Sequence, residues 1–377
     1  MSEKKLRAAI LGASGYTGAE LVRLLSKHPH VDIVLLTGDR RAGDSMGDVY
    51  PQFGGLDLPD LIAIDDVEWA GVDLDVVFCG MPHGTTQKIV QGLFHKTGHT
   101  LVDELIMEHT EDYIAEIKKP VKVIDMSADF RIDDANTYAE LYGHEHYAPA
   151  LQDIAVYGLT EFARDAIKDA DLVACPGCYP TGATMALIPL LQAGLINPDE
   201  IIIDAISGVT GAGRSLKEGN LFTEVSTGVH AYGIATHRHG PEIEQQLAKA
   251  AGRESKDMLV TFTPHLAPMN RGILTTTYVQ LTDGKTVDDV QDCLEGRFND
   301  EPFVRVLPDG QMPHTRHVLG TNNVLIGIAA DRRPGRAIIV TAIDNLTKGS
   351  SGQALQNMNV MFGFDEKTGL DIEAVFP

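Results

Sequence analysis

Three glycines near the start of the chain constrain its fold more than any other feature. Gly12, Gly15 and Gly18 form a G-x-x-G-x-x-G pattern between an apolar stretch at 6–11 and a segment with apolar residues at helical spacing. A second apolar stretch follows at 31–37. Strand, tight turn, helix and strand form a parallel-sheet unit whose helix N-terminus can hold a dinucleotide pyrophosphate. We predict such a site here, with a plain glycine-rich turn as the alternative.

Further apolar stretches extend this unit into a doubly wound α/β domain. We predict strands over 76–79, 99–102 and 121–126, with helical segments between them such as 85–94. The predicted domain covers 1–177, and a C-terminal segment, 350–377, returns to complete it.

The rest of the chain has a different pattern. Over 178–349, predicted strands outnumber helices, which indicates an α+β domain with a mixed or mostly antiparallel sheet. The strands are predicted over 201–207, 258–263, 273–279, 324–330 and 337–342, and the helices over 181–193 and 242–251.

The residues after the second strand bear on which dinucleotide is bound. Asp39 there could hold the ribose hydroxyls of NAD, whereas the following Arg40 and Arg41 could pair with the 2′-phosphate of NADP. We favour NADP(H), with Arg40 as a ligand. Solvated surface arginines are the alternative.

Charge and composition exclude several classes of partner. The chain has 53 acidic and 31 basic residues, a net charge of -22, which repels nucleic acid and anionic membranes. It contains no apolar stretch long enough to span a membrane and no recognisable signal peptide. We expect a cytoplasmic protein without nucleic-acid or membrane partners. An anionic ligand would require a local cationic pocket.

A cysteine segment supplies the candidate chemistry. Residues 175–182 read CPGCYPTG, just before an apolar helix. A helix N-terminus lowers the pKa of a thiol, and its N–H groups can hold an oxyanion, so Cys178 is a candidate nucleophile. A redox pair with Cys175 and a buried structural cysteine are the alternatives. The candidate bases are His237 and His239 in THRHGPEIEQ.

We predict no metal site. The histidine pairs at 144 and 146 and at 314 and 317 are joined to no cysteine or carboxylate at a standard zinc spacing.

Several segments, taken in order, resemble one family over nearly the whole chain, the N-acetyl-gamma-glutamyl-phosphate reductases of arginine biosynthesis. The segments are GASGYTGAELVRLL (12–25), DMSADFRI (125–132), PGCYPTGATMALIP (176–189), SGVTGAGR (207–214), HRHGPEIEQ (237–245), TPHLAPMNRGIL (263–274) and KGSSGQALQNMN (348–359).

The resemblance implies a Rossmann domain followed by a glyceraldehyde-phosphate-dehydrogenase-like catalytic domain. It implies NADPH-dependent reduction of N-acetyl-L-glutamyl 5-phosphate to the 5-semialdehyde through a cysteine thioester. Cys178 would be the nucleophile, and His239, in preference to His237, the acid/base. Substrate carboxylate or phosphate would be bound by Arg131, Arg214 and Arg271. The cofactor would be bound by Gly12, Ser14, Gly15, Tyr16, Thr17, Gly18, Pro82, Gly211 and Asn345. We also expect a homo-oligomer, a dimer or a tetramer.

Other hypotheses and some departures stand beside this one. An aspartate-semialdehyde dehydrogenase or a lysine-pathway acyl-phosphate reductase would share the chemistry, and a nucleotide-binding redox sensor would use Cys175 with Cys178. Many family members have Asn at the Cys175 position, and they often have Ser at that of Thr210 and Thr at that of Gly240. None of these differences removes a group that the chemistry needs.

Overall fold

The structure is a computed structural model that describes residues 4–94 and 121–375. The chain divides into two compact units. The first is Met1–Pro176 with Ser351–Leu370, and the second is Gly177–Ser350 with Asp371–Pro377. The strand predicted over 99–102 lies outside the described residues.

A parallel sheet forms the centre of the first unit. In the described residues it has seven strands in the order β3-β2-β1-β4-β5-β7-β6, and every pair is parallel. The strands are β1 Leu6–Leu11, β2 Val31–Thr37, β3 Leu61–Ile62, β4 Val76–Cys79, β5 Lys122–Asp125, β6 Val156–Tyr157 and β7 Leu172–Ala174.

Helices cover both faces of this sheet, which confirms the doubly wound α/β prediction. The helices are α1 Tyr16–Leu25, α2 Met46–Val49, α3 Thr86–Phe94, α4 Ala135–Tyr142, α5 Pro149–Ile154, α6 Thr160–Asp169 and, from the end of the chain, α11 Gly352–Phe362. Apolar residues of α3 pack with Leu11 and Val77 on one face. The alternate residues Ile10 and Phe78 are fully buried on the other face. Helix α1 packs against β1 and β2, and helix α11 packs against β5 and α6.

The C-terminal helix is held to the first unit by buried polar contacts. The Asn357 side chain accepts a hydrogen bond from the Thr160 hydroxyl at 2.6 Å and donates one to the Gly158 carbonyl at 2.9 Å. A π-helical turn, Thr347–Ser351, precedes this helix, so the helix begins at Gly352. Buried polar groups with satisfied hydrogen bonds fix one arrangement of packed elements.

A buried carboxyl group at the end of β5 makes stability depend on pH. Asp125 is fully buried, and its Oδ1 accepts the Ser127 N–H at 2.8 Å. Burial, and next the nearby carboxylate of Asp129, raise the pKa of Asp125 to about 7. In the unfolded chain the pKa is about 4. Between these values the folded state retains a proton that the unfolded state has lost, so stability falls as pH rises through this window.

We expect Asp125→Asn to be more stable than the wild type at pH 8, because the amide oxygen still accepts the Ser127 N–H but cannot ionise. The advantage in unfolding free energy should grow between about pH 4 and pH 7, by up to about 4 kcal/mol, and level off above. Thermal melting across this pH range would measure it, with the exposed Asp309→Asn as a control. An advantage that does not change with pH would contradict the prediction.

A mixed sheet forms the centre of the second unit, as predicted. In the described residues it has seven strands in the order β12-β13-β14-β11-β8-β10-β9. The pairs β8–β10 and β12–β13 are parallel, and the other pairs are antiparallel. The strands are β8 Ile196–Gly208, β9 His230–Ala231, β10 Thr261–Ala267, β11 Ile273–Leu281, β12 Val304–Val306, β13 Val324–Ala330 and β14 Arg336–Ile343.

The helices of this unit are α7 Cys178–Gln192, α8 Phe222–Val225, α9 His239–Ala251 and α10 Val287–Phe298. The central helix α7 packs on the sheet face that includes Thr341, whose hydroxyl donates to the Gly182 carbonyl at 2.8 Å. Helix α10 was not predicted from the sequence, although Thr286 and Asp289 form a capping box at its start.

Several predicted boundaries were wrong. The strand predicted over 201–207 is Ile196–Gly208, and the helix predicted over 242–251 is His239–Ala251. The strand predicted over 258–263 is Thr261–Ala267, because the Val260 N–H donates to the Glu244 side chain rather than to a neighbouring strand. The helix predicted from residue 181 begins three residues earlier, at Cys178.

Candidate active site

Cys178 is the first residue of α7. Its N-cap residue is Gly177, which has no side chain to hydrogen-bond with the first turn. The first N–H groups of a helix have no acceptor within it, and they carry the positive end of the helix dipole. They stabilise negative charge on a thiolate or an oxyanion. Cys178 is half-buried, whereas its neighbours Gly177 and Tyr179 are buried.

The imidazole of His239 lies directly against the backbone that precedes Cys178. His239 is the first residue of α9. A Cβ atom built on Gly177 would lie 2.5 Å from Nε2 of His239 and 2.8 Å from its Cε1, too close for a real side chain. Glycine at position 177 therefore provides the space for this ring. An imidazole is thus placed against the residue that immediately precedes Cys178.

A loop shaped by Asp344 also packs against Cys178. Asp344 is fully buried, and its Oδ1 accepts the N–H groups of Leu346 and Thr347, both at 2.9 Å. The Asp344 carbonyl accepts the N–H of Gly349 at 2.9 Å. A Cβ on Gly349 would lie 2.7 Å from Cβ of Cys178. This close approach fixes the Cys178 side chain from the loop that follows β14.

His237 occupies an aromatic cluster. Its ring has edge-on contacts, with centroid distances of 5.4 to 5.6 Å, to Tyr179, Tyr232 and Phe262. Burial, and next the positive charge of Arg238, lower the pKa of His237 to about 4. Nδ1 of His237 accepts the N–H of His239 at 3.1 Å. His237 is therefore neutral at physiological pH and holds the backbone of His239.

Arg131 is almost fully buried in the first unit. Its Nε donates to the Cys175 carbonyl at 2.7 Å, and its Nη2 donates to the Met126 carbonyl at 3.0 Å. These contacts fix the segment that leads to the cysteine motif. A role for Arg131 in substrate binding remains a prediction.

Cys175 is not suited to thiol–disulfide exchange. Its side chain is fully buried, and burial raises the pKa of its thiol to about 12. The Asn357 amide donates to its sulfur at 3.6 Å. A thiol that stays protonated and inaccessible reacts slowly with another sulfur. The burial of Cys175 therefore weighs against the redox-pair hypothesis.

The other two predicted substrate arginines lie in the second unit. Nη2 of Arg271 donates to the Asp344 carboxylate at 2.9 Å and to the Thr347 hydroxyl at 3.0 Å. Arg271 is thus hydrogen-bonded to the loop that packs on Cys178. Arg214 is exposed and follows the 3₁₀ turn Val209–Ala212.

The glycine loop of the first unit forms a cradle that fits a dinucleotide. Gly12 has a φ of +81°, and a Cβ there would lie 2.7 Å from the Gly80 carbonyl oxygen. A Cβ on Gly18 would overlap the Gly12 carbonyl oxygen. Gly15 is the N-cap residue of α1, without a side-chain cap. The first N–H groups of α1 and the missing side chains leave room for a pyrophosphate at the positive helix end.

The predicted cofactor residues are divided between the two units. The first unit contains the glycine loop, with Ser14, Tyr16 and Thr17, and also the exposed Pro82 and Arg40. The second unit contains Gly211 and Asn345. Asn345 is buried, and it accepts the Gly272 N–H at 2.7 Å and donates to the Thr210 hydroxyl at 3.0 Å.

Sequence reasoning missed three residues that shape this site. Asp344 follows a predicted strand, and Gly349 lies in a segment that resembles the family. Nothing in the sequence indicates that the loop containing both residues packs against Cys178. Glu242 lies three residues after His239, a spacing that places both side chains on one face of a helix, so it could have been noticed. Its Oε1 accepts the Gly177 N–H at 2.8 Å.

Residues 4–94 and 121–375 contain neither a cluster of metal ligands nor a membrane-spanning helix. No group of three or more His, Cys, Asp or Glu side chains there is arranged to hold a metal ion. No described helix has the length and apolar character needed to cross a bilayer.

Comparison with known families identifies both parts of the chain. Residues 7–105 match the model described as semialdehyde dehydrogenase, NAD binding domain. Residues 178–345 match the model described as semialdehyde dehydrogenase, dimerisation domain.

Similar proteins carry one name. The N-acetyl-gamma-glutamyl-phosphate reductase of Afipia carboxidovorans is 57% identical, covering 100% of this chain and 99% of its own length. That of Rhodospirillum rubrum is 54% identical and covers 100% of both chains. A probable chloroplastic N-acetyl-gamma-glutamyl-phosphate reductase of Arabidopsis thaliana is 48% identical, covering 100% of this chain and 86% of its own.

Solved structures agree on the fold. Aspartate semialdehyde dehydrogenase II of Vibrio cholerae has a TM-score of 0.67 at 16% identity, covering 96% of this chain and 99% of its own. At this identity the likeness shows the fold alone. Full-length identity of up to 57% to named relatives, and the two domain models, show that the chain belongs to the N-acetyl-gamma-glutamyl-phosphate reductase family of the semialdehyde dehydrogenases.

Proposed function

We propose that this protein reduces N-acetyl-L-glutamyl 5-phosphate to N-acetyl-L-glutamate 5-semialdehyde with NADPH, the third step of arginine biosynthesis, and that Cys178 and His239 carry the reaction. The observation that carries the proposal is the placement of the His239 imidazole on Gly177, immediately before Cys178 at the N-terminus of α7. A nucleophile, a proton-transferring ring and a set of helix N–H donors thus meet at one backbone position.

The proposed steps use each of these groups. The Cys178 thiolate attacks the acyl carbon, a carbon–sulfur bond forms, and the bond to the phosphate oxygen breaks, leaving a thioester. The N–H groups at the start of α7 stabilise the oxyanion that forms at the carbonyl. His239 donates a proton to the oxygen of the reduced thioester, a hemithioacetal, and takes it back as the C=O bond of the aldehyde forms. The carbon–sulfur bond breaks in that step, and Cys178 leaves as a thiolate.

The dinucleotide would be held by the glycine loop of the first unit. When bound, it supplies the hydride that reduces the thioester carbonyl. We propose NADP rather than NAD because Arg40 is exposed just after β2, while the Asp39 carboxylate accepts the Ile64 N–H at 3.0 Å. Arg41 is paired with Asp44 at 2.5 Å, which leaves Arg40 as the better candidate for the 2′-phosphate.

Arg40→Ala should weaken NADPH binding about ten- to a hundredfold, because one guanidinium–phosphate contact is lost. NADH binding should change little, since NADH has no 2′-phosphate. Titration of both cofactors by fluorescence would measure the two affinities. Arg41→Ala is the matched control and should leave the preference for NADPH intact. An equal loss for both cofactors in Arg40→Ala would contradict the assignment.

The reverse reaction tests the proposed function. The purified protein should form NADPH from N-acetylglutamate semialdehyde, phosphate and NADP, and the rate should require phosphate. Aspartate semialdehyde in the same assay separates this activity from that of an aspartate-semialdehyde dehydrogenase. Absence of phosphate-dependent NADPH formation by the folded protein would exclude the proposal.

We further propose that the protein forms a homodimer through the second unit. The helix-facing residues of its sheet are buried, whereas those of the opposite face are only partly buried or exposed and largely apolar: Ile202, Ile206, Leu274, Tyr278, Ile338 and Val340. A large apolar patch on one sheet face favours a protein partner. A second copy fits because the matching model over 178–345 is described as a dimerisation domain.

We propose a cytoplasmic location, where the thiols of the four cysteines remain reduced.

Ile338→Asp should convert the dimer to monomer at micromolar concentration, because the charge would be buried without a partner at the interface. Light scattering coupled to size-exclusion chromatography measures the mass, and circular dichroism verifies folding. Leu56→Asp in the first unit, where the leucine is 40% exposed, is the control and should keep the wild-type mass. An Ile338→Asp protein that is folded and keeps the wild-type mass would exclude this face. A wild-type tetramer would show that a second interface exists.

A further inference from the structure

We propose that two copies of the chain dock through two reciprocal ion pairs, each joining Asp204 of one protomer to Arg336 of its partner, an inference that rests on the homodimer proposed above. The contact lies on the open face of the mixed sheet, the face opposite α7 that carries Ile202, Tyr278 and Ile338. The apolar residues of this face favour docking, and the two charged groups determine its alignment.

Asp204 lies in the middle of the open face. It alternates along β8 with the fully buried Ile203 and Ala205, so its side chain is on the side of the sheet away from the helices. Thr263 and Thr276 flank it on the neighbouring strands. In the part of the chain that the structure describes, the Asp204 carboxylate has no hydrogen bond or ion pair. Water solvates this half-buried carboxylate in a single protomer, but a partner that covers the face removes that water.

Arg336 provides the matching charge. It is the first residue of β14, and the alternation along this strand places it on the same face as Ile338. Its Nε atom is buried and has no acceptor among the described residues. The side chain lines a cleft of about 510 Å³ together with Glu200, Ile202 and Leu259. A guanidinium has five N–H donors and carries a permanent charge, so Arg336 can bind a carboxylate from another molecule.

The two charged groups cannot meet within one chain. Asp204 is opposite Thr276 of β11, and Arg336 is opposite Gln280 of the same strand. Four residues along β11, and one strand spacing to either side of it, separate the two backbone positions by about 17 Å. The side chains of aspartate and arginine together do not span that distance. An ion pair between these residues therefore has to join two molecules.

A two-fold axis converts this separation into two equivalent contacts. When Asp204 of one protomer meets Arg336 of the other in an isologous dimer, the converse pair forms as well. Midway between the two positions lies Tyr278, with Ile202 and Ile338 on either side of it in the same row. This apolar row then lies between the two ion pairs and excludes water from them. An alignment that separates the charges leaves both desolvated without a partner, which is costly.

Two other ionisable groups lie near these charges. Glu200 is exposed at the cleft, where water solvates it. His265 is on the open face, beside Ile206 of the neighbouring strand. A guanidinium is charged at every physiological pH, whereas an imidazole is not. We therefore assign the pair to Arg336, and replacement of His265 tests the alternative.

Reversal of each charge tests the pair. Asp204→Arg gives a protomer with two cations at the contact, and Arg336→Asp gives one with two carboxylates. Each variant alone should be monomeric at micromolar concentration, because both contacts of its homodimer become repulsive. An equal mixture of the two should form a heterodimer, since all four groups are then complementary. The double variant, with both reversals in one chain, should dimerise within about tenfold of the wild-type affinity.

Sedimentation velocity between nanomolar and micromolar concentration gives the dimer dissociation constant of each protein. Each single reversal should raise this constant by at least about a thousandfold, because every homodimer loses two pairs. Circular dichroism verifies folding. Where a single variant is insoluble alone, co-expression of the two variants with different affinity tags replaces mixing.

The chain offers two control variants. Asp292 is exposed on α10, which packs against α7 on the other side of the sheet. Asp292→Arg makes the same charge change as Asp204→Arg, and its dissociation constant should stay within about threefold of the wild type. His265→Ala retains both proposed pairs and should stay within about tenfold.

The outcomes separate the ion pairs from the dimer itself. Ile338→Asp decides whether the open face is the interface, and a wild type that is monomeric would remove both proposals. If Ile338→Asp is monomeric and the wild type dimeric, an Asp204→Arg or Arg336→Asp variant that still dimerises as the wild type does would overturn the pairs. A mixture of the two reversals that stays monomeric would overturn them too. So would a monomeric His265→Ala protein beside a dimeric Arg336→Asp.

Discussion

Replacing Cys178 by serine should reduce kcat for aldehyde formation and for its reversal by at least about a thousandfold, since a serine hydroxyl is a far weaker nucleophile without a strong base. The fold should be retained, because the substitution exchanges one small side chain for another at a half-buried position. Binding of NADPH should also be retained, since the glycine cradle lies in the first unit. Steady-state assays and cofactor titration measure the two properties separately.

Cys175→Ser is the matched control. This residue lies in the same motif, but its thiol is buried and its sulfur receives the Asn357 amide. A serine oxygen can accept the same hydrogen bond, so activity should stay within about tenfold of the wild type. Intact activity in Cys178→Ser, or its loss only in Cys175→Ser, would contradict the assignment of the nucleophile. A redox sensor would instead require both sulfurs, and a non-reducing shift assay would detect their disulfide.

The structure explains which parts of the site can be predicted from the local sequence. The glycine cradle is formed by residues within one strand, turn and helix, and its spacing therefore appears directly in the sequence. The helix that begins at Cys178 is also local, although its first turn contains Pro180 and was predicted to start later. Positions 12 and 18 require glycine because other backbone atoms approach them closely. Glycine at such positions is typical of dinucleotide-binding turns.

The rest of the site depends on contacts between distant segments. His239 lies against Gly177, and Gly349 lies against the Cβ atom of Cys178. The residues of each pair are so far apart in the chain that no periodic pattern in the sequence could indicate their contact. The choice between His237 and His239 was open for the same reason, since both belong to one short segment. Only packing shows that the first is enclosed by aromatic rings and the second faces the cysteine segment. Folding thus places two neighbouring histidines in different environments.

His239→Asn should lower kcat by about a hundred- to ten-thousandfold, the usual contribution of a positioned acid/base group. His237→Asn should lower it less than about tenfold. An asparagine at 237 can still accept the N–H two residues later, as the His237 Nδ1 atom does now at 3.1 Å. Because the pKa of His237 is lowered to about 4, this ring is a neutral imidazole at neutral pH and therefore a poor proton donor. The reverse ranking of the two variants would assign the acid/base role to His237.

Gly177→Ala tests the same assignment without changing either histidine. Gly177 has φ of −64° and ψ of 156°, which alanine adopts without strain, so the backbone should tolerate the change. The new Cβ would lie 2.5 Å from Nε2 of His239 and would force the ring away. We expect a loss of kcat comparable to that in His239→Asn, and little further loss when the two are combined, because both changes remove one interaction. A fully active Gly177→Ala enzyme would show that the imidazole does not need its present position. Additive losses would show that position 177 acts independently of His239.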